Sequence, residues 1–347
     1  MEDIENYRNI GTQVKIARCQ RKWKREEVVE ALLEEPDLRG IEERNEWEFW
    51  SVRILMGRLH IPISSTIFYL SAGDNALINL EMDILCDLRF WRYEKARKEI
   101  EQFYRSCDKK NHFQMRAYYR LYMTWKVWQK QREEKEKEIF QEFMESEMPG
   151  FEERLLKGRA FAPDELALIA VYYQFIEEDT AKRLQKLYYV VYYYREEFTK
   201  EQEKLQPFYA ELMFACAQCQ YELEDYVNCI EQCEEGIKVT KKTRICVMAG
   251  ELYEWMADAK GKILEEEMDK ERQRYLREEV RERKGNVLKE KREEISLFKG
   301  MGRRKQIDEI LEDYGCADVL YDMYYSKYED KYKEQLERKM ERWKTMM

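Results

Sequence analysis

Cys216-x-x-Cys219, followed by Cys229 and Cys233, places four thiols within 18 residues, and no other part of the chain comes as near to a chemical motif. Thiolates at such spacings hold zinc. The same positions also fall where two helices of a hairpin would press together, and there cysteine acts as a small apolar side chain. Packing is the preferred reading, and no metal or cofactor is expected. The only histidines are His60 and His112, so Ser/His/Asp or Cys/His catalysis has almost no material. There is neither a glycine-rich phosphate cradle nor a His-Glu-x-x-His pair. Carboxylate runs such as Glu265–Glu267 read as solvated helix faces rather than acid/base pairs. The chain is expected to bind partners, not to catalyse.

Aromatic side chains are the other candidates for chemistry. Tyr188, Tyr189, Tyr192, Tyr193 and Tyr194, with Tyr172 and Tyr173 one helix earlier, offer apolar faces and hydroxyls that suit a ligand groove. The alternative is that half of them are core and half surface.

These residues need elements to position them, and composition indicates helices. Gly (13) and Pro (5) are scarce over 347 residues, which leaves too little turn punctuation for a β or α/β fold. The 44% apolar residues and 25 Tyr supply a core despite 38% charged residues. Nine cysteines, an odd number, are scattered along the chain, and Met1–Tyr7 carries no secretory signal, so a reducing, cytoplasmic setting is expected. The nearest candidate for a membrane span, Leu187–Tyr194, is only eight residues, too short to cross. A net charge of −9 argues against whole-surface binding to nucleic acid, so any DNA contact must come from a local patch.

Helices are short up to about Leu70 and longer from Ala76, which puts a boundary at Ser71-Ala72-Gly73-Asp74. In the first 60 residues or so, Ile10, Val14 and Ala17 share one helical face. Trp23 precedes Val28, Val29, Ala31 and Leu32, Pro36-Asp37 opens a third helix, and Phe49, Val52, Leu55, Met56 and Leu59 precede Pro62. Lys15 to Arg25 holds six basic residues and no acid, whereas Glu26 to Glu48 holds ten acids against two bases. The basic stretch suits a phosphate backbone. The acidic one would repel DNA unless its carboxylates face away.

Ile10-Gly11, Ala17-Arg18, Arg25-Glu26-Glu27-Val28-Val29, Ile41-Glu42 and Arg58-Leu59-His60-Ile61-Pro62 together resemble the Xre-type, lambda-repressor-like helix-turn-helix domain, over about one sixth of the chain. Lys24 and Arg25 stand where that family has Ser or Thr then Gln, and Gly40 lies inside the matching recognition helix, Asp37 to Arg44. The resemblance implies a buried Arg18–Glu42 ion pair. It also implies phosphate contacts from Lys22, Lys24 and Arg25 and base contacts from Arg39 and Arg44.

Beyond Asn75 the clearest repeat unit is Phe208–Val239, with small residues at Ala217, Cys229 and Gly236 where two helices would meet, and it resembles the tetratricopeptide repeat. Leu77–Arg89 with Trp91–Ala96, Ile100 and Phe103 is a second such unit. Weaker pairs are Gln114–Gln129 with Glu136–Glu147, Asp164–Ile176 with Asp179–Phe198, and Arg244–Leu264 with the segment after it. After Glu265 a long charged helix is expected, with a seam of Met268, Leu276, Val280 and Val287. Lys299-Gly300-Met301-Gly302 should break it, before helices at about Arg304–Asp313 and Ala317–Lys344. That region caps the array or makes a coiled-coil contact with another chain.

The expected architecture is therefore all-α. Residues 1–73 form a helix-turn-helix head, 74–264 a tetratricopeptide-like right-handed α-solenoid, and 265–347 capping or dimerisation helices. This combination resembles the Rgg-like and PlcR-like peptide-responsive regulators of Gram-positive bacteria, which implies a homodimeric cytoplasmic transcription factor with DNA on the head and a short peptide or protein ligand in the array. Tyr118, Tyr122, Tyr172 and Gln218, with Asn228 near a turn, are the candidates to face one ligand groove, and Asn111 and Asn228 could hold a peptide backbone. The alternative is a non-DNA-binding helical-repeat scaffold that mediates protein–protein interaction. Whether Arg25, Arg39 and Arg44 project together on a positive face, or meet carboxylates, separates the two.

Overall fold

A computed structural model describes residues 9–61, 70–198, 207–243, 248–282, 290–324 and 330–346, without the side chains of 207, 242–243, 275–282, 290–301, 322–324 and 330–332. Among these residues every regular element is a helix. The all-α class is as expected. None of these helices is long and apolar enough to cross a membrane. By compactness the chain divides into Met1–Phe208 and Tyr209–Met347.

The first unit opens with α1 (Ile10–Gln20), α2 (Arg25–Val29), α3 (Glu35–Arg44) and α4 (Phe49–Arg58). Their ends follow local chemistry. Asn9 Oδ1 accepts from the Thr12 amide at 3.3 Å, Glu27 closes a capping box on the Lys24 amide at 2.7 Å, and Asn45 ends α3 in the left-handed region at φ 56°. Val14, Val28, Leu38, Ile41, Val52, Leu55 and Met56 fill the core between them. α1 and α3 approach so closely that a Cβ on Gly11 would lie 2.0 Å from the Ile41 carbonyl oxygen. Only glycine fits there.

α5 (Ala72–Arg89), α6 (Tyr93–Ser106), α7 (His112–Trp128) and α8 (Glu134–Glu147) follow as antiparallel hairpins. After the short α9 (Phe151–Leu156), which the periodicity did not reveal, come α10 (Pro163–Ile176) and α11 (Thr180–Glu197). The first helices of the hairpins, α5, α7 and α10, lie side by side. α4 packs onto that row, and its Phe49, Trp50 and Ile54 join the apolar core of Leu77, Ile84, Leu88, Ile100, Phe103 and Leu121. One helix thus serves two cores.

In the second unit α12 (Pro207–Glu222) and α13 (Tyr226–Thr243) form the hairpin expected at Phe208–Val239. Cys216, Cys219, Cys229 and Cys233 are all buried in it. A hydrogen bond with Cys229 first, and burial second, push the Cys233 thiol well above its ordinary value, as suits an inert packed thiol. Among the described residues no three His, Cys, Asp or Glu side chains converge to hold a metal. α14 (Ala249–Glu282) is one continuous helix. α15 (Glu290–Tyr324) likewise runs through Lys299–Gly302, and α16 (Asp330–Lys344) ends the chain, so the expected helices at Arg304–Asp313 and Ala317–Lys344 are replaced by this pair. A helical glycine costs only about 1 kcal/mol relative to alanine. Burial of Ile307, Ile310, Tyr314, Ala317 and Tyr321 beyond Gly302 more than offsets two of them. Of the expected seam, Leu276, Val280 and Val287 lie outside the described side chains.

Candidate nucleic-acid face and ligand groove

Arg18, in the last turn of α1, grips Glu42 of α3 in a bidentate pair, Nε to Oε1 at 2.6 Å and Nη2 to Oε2 at 3.1 Å. The Glu42 side chain is wholly buried. Burial raises its carboxyl, but the hydrogen bonds from Arg18 and Arg25 outweigh that and hold it below its ordinary value. The pair implied by the helix-turn-helix resemblance is thus formed.

Arg25 is committed inside the head. It meets Glu42 at 2.8 Å, Glu43 at 2.9 Å and Glu35 at 3.3 Å. Arg39 is exposed and pairs with Glu35 at 3.0 Å, and Arg44 is exposed and pairs with Glu46 at 2.8 Å. Each arginine of the set therefore faces a carboxylate. Lys22 and Lys24 are exposed, flank the start of α2 and make no ion pair among the described residues; Lys15 on α1 is in the same state.

Sequence reasoning missed a largely buried charge network between α4, α5, α7 and α10. Arg53 of α4 reaches Glu81 of α5 at 2.5 Å and Asp164 of α10 at 2.9 Å, and Arg120 of α7 bonds the same two carboxylates at 2.5 and 2.6 Å. Beside it Arg58 meets Glu165 at 2.6 Å, and its Nη1 donates to the Val28 and Glu30 carbonyls at 2.8 and 2.9 Å. Arg116 adds a longer contact to Glu165 at 3.5 Å. Burial raises the Asp164 and Glu165 carboxyls, but the neighbouring guanidiniums outweigh it and leave both low, Asp164 at about 2. Five of these charges stand on α5, α7 and α10, on the side where α4 sits. Their sequence positions gave no periodic signal, because charged residues on long helices are normally solvated.

The ligand candidates divide. Tyr118 and Tyr122 of α7 line one groove of about 510 Å³ with Ile100, Tyr104, Trp125 and Lys126. The Tyr122 hydroxyl donates to Glu136. Tyr172 does not line it: its ring packs 5.5 Å from both Phe140 and Phe151. Gln218, half-buried, and Asn228, exposed with Nδ2 2.7 Å from Asp225, belong to the second unit. Asn111 caps α7, accepting from the Phe113 and Gln114 amides at 3.1 Å. Among the long tyrosine run, Tyr193 and Tyr194 are core while Tyr189 and Tyr192 are exposed. Trp125, one turn beyond Tyr122, and Tyr104, beside the core position Phe103, could have been found from helical spacing alone.

No family model and no curated protein matches the chain. Among solved structures it is similar to PlcR of Bacillus thuringiensis, in its crystal structure with the peptide PapR7 and DNA, at 14% sequence identity and a TM-score of 0.47, covering 95% of this chain and 99% of that one.

Proposed function

We propose that the protein is a helix-turn-helix transcriptional regulator, acting as a homodimer, whose helical-hairpin array binds a peptide or protein ligand. Residues 1–73 are the DNA-binding head, 74–264 the tetratricopeptide-like array, and 265–347 the capping or dimerising helices. The observation that carries this reading is the buried Arg18–Glu42 pair, which ties α1 to α3 as the helix-turn-helix resemblance implies, beside the exposed Lys15, Lys22 and Lys24, which make no ion pair among the described residues. Those lysines supply phosphate contacts. Arg39 and Arg44 supply base contacts. Their pairs with Glu35 and Glu46 are solvent-exposed and hold the two guanidiniums only weakly. Both guanidiniums are therefore available to DNA.

The second reading, a scaffold whose head no longer binds DNA, is favoured by one observation: Arg25, Arg39 and Arg44 all meet carboxylates, with Glu35 shared by two of them. The deciding experiment is sequencing of DNA that copurifies with the tagged protein in its host. Enrichment of discrete promoter sites supports the regulator. Uniform background, together with no binding to its own promoter region at low salt, supports the scaffold.

A further inference from the structure

α2 spans only Arg25–Val29, and α3 starts at Glu35. A helix of fewer than two turns does not hold itself in water, so what fixes α2 and the turn behind it must come from outside. Val28 and Val29 give α2 one buried face. Guanidiniums hold its end. Arg58 Nη1, from α4, donates to the Val28 and Glu30 carbonyls at 2.8 and 2.9 Å. Arg116 Nη2, from α7, donates to the Ala31 carbonyl at 2.9 Å across 85 residues of sequence.

Ala31 is where the turn most needs holding. Its φ is +54°, in the left-handed region that glycine enters freely and alanine does not. The Leu32 and Leu33 amides close the bend by donating to the Val29 carbonyl at 2.7 and 3.1 Å. The Ala31 carbonyl takes its donor from the array. At the other end of α2, Glu27 caps the Lys24 amide with one oxygen and accepts from Arg159 Nη1 at 3.2 Å with the other. That second tie is half-exposed and therefore weaker. Arg116 is only 8% exposed, too deep to reach a phosphate itself.

We propose that Arg116 is a positioning residue for DNA binding. From the array it holds the α2–α3 turn, and through that turn it sets α3 and the Lys22–Lys24 edge in the arrangement that meets DNA. The assignment rests on the DNA-binding reading above and makes the geometry of the head depend on a side chain of the array.

The test uses the full chain with Arg116→Met, which keeps an apolar stem and removes the donors, and Ala31→Gly, which removes the cost of the left-handed φ. Hydrogen exchange followed by mass spectrometry reads the segment 28–34. Arg116→Met should speed exchange there about tenfold and leave α6 unchanged. In the Ala31→Gly background the same substitution should speed it less than about threefold, because glycine keeps the bend unaided. The other partners of Arg116, Glu147 and Glu165, would be lost equally in both backgrounds. Fluorescence anisotropy with a random-sequence DNA duplex should show Arg116→Met binding about fivefold more weakly with an unchanged salt slope, since no phosphate contact is removed. Unchanged exchange in 28–34, an equal speed-up in both backgrounds, equal loosening of α6, wild-type DNA affinity or a reduced salt slope overturns the inference. If the wild-type chain binds no duplex, the DNA-binding reading falls and the assignment to DNA binding falls with it, whereas a wild type that binds while Arg116→Met behaves like it removes Arg116 alone.

Discussion

Arg58 closes α4 with its guanidinium on the carboxylate of Glu165, 107 residues away, at 2.6 and 2.8 Å, with both side chains shut off from solvent. Two ions removed from water cost several kcal/mol each unless paired and hydrogen-bonded. Here the remaining Arg58 donors reach two carbonyls, so the pair is nearly saturated. The pair fixes where α4 sits, because moving it would leave these buried groups unpaired.

Arg58→Ala should therefore lower the unfolding free energy by about 3–5 kcal/mol, since it strands Glu165. Arg58→Met with Glu165→Leu should cost clearly less than that single change. Urea denaturation of the three proteins measures both. A double variant less stable than Arg58→Ala would show that stranding Glu165 is not the source of the cost.

Breaking the Arg18–Glu42 pair acts within the head. Arg18 is slightly exposed, so Arg18→Ala should cost about 2–3 kcal/mol, below the full burial value. Gly11→Ala should be at least as harmful, because its methyl would meet the Ile41 carbonyl oxygen. An unchanged denaturation midpoint for either substitution would show that the α1–α3 contact has been misassigned.

Acid should loosen the first unit. Asp164 and Glu165 have carboxyls held below their unfolded values by arginines, so their contribution is complete above about pH 4.5 and is lost as pH falls through the folded values, about 2 for Asp164. Stability measured by urea midpoint should fall between about pH 4.5 and 2. In Glu165→Gln the fall should be shallower.

For DNA, charge reversal at Lys22 and Lys24 should weaken binding to all sequences alike and reduce the salt slope by about 0.9 for each phosphate that is no longer neutralised. Arg25→Ala should act mainly through stability, since its guanidinium is held by three glutamates. Fluorescence anisotropy over a salt series separates the two effects. A sequence-dependent loss in the lysine variant would move those residues off the backbone.

For the array's ligand, Tyr122→Leu should abolish most of the heat from host secreted-peptide fractions while the fold persists. Tyr172→Ala should instead lower the melting temperature by removing contacts to Phe140 and Phe151, with peptide affinity retained. Equal heats from wild type and Tyr122→Leu would exclude this tyrosine from the site.

The sequence by itself determined the helices, because apolar spacing and end-capping residues act within a few positions. Asn9 and Asn45 bound α1 and α3, and the small residues Ala217, Cys229 and Gly236 sit inside a hairpin readable without coordinates. Local glycine chemistry misled only at Gly300–Gly302, where packing beyond the pair decides. The tertiary structure alone decided which charges meet. Arg58 with Glu165, and Arg53 and Arg120 with Glu81 and Asp164, lie on separate helices, and an arginine destined for a buried pair looks the same in sequence as one in water. It also decided that Tyr118 and Tyr122 share a groove that Tyr172 does not line, because the side of the helix row that takes α4 is set by packing and not by the period of any one helix.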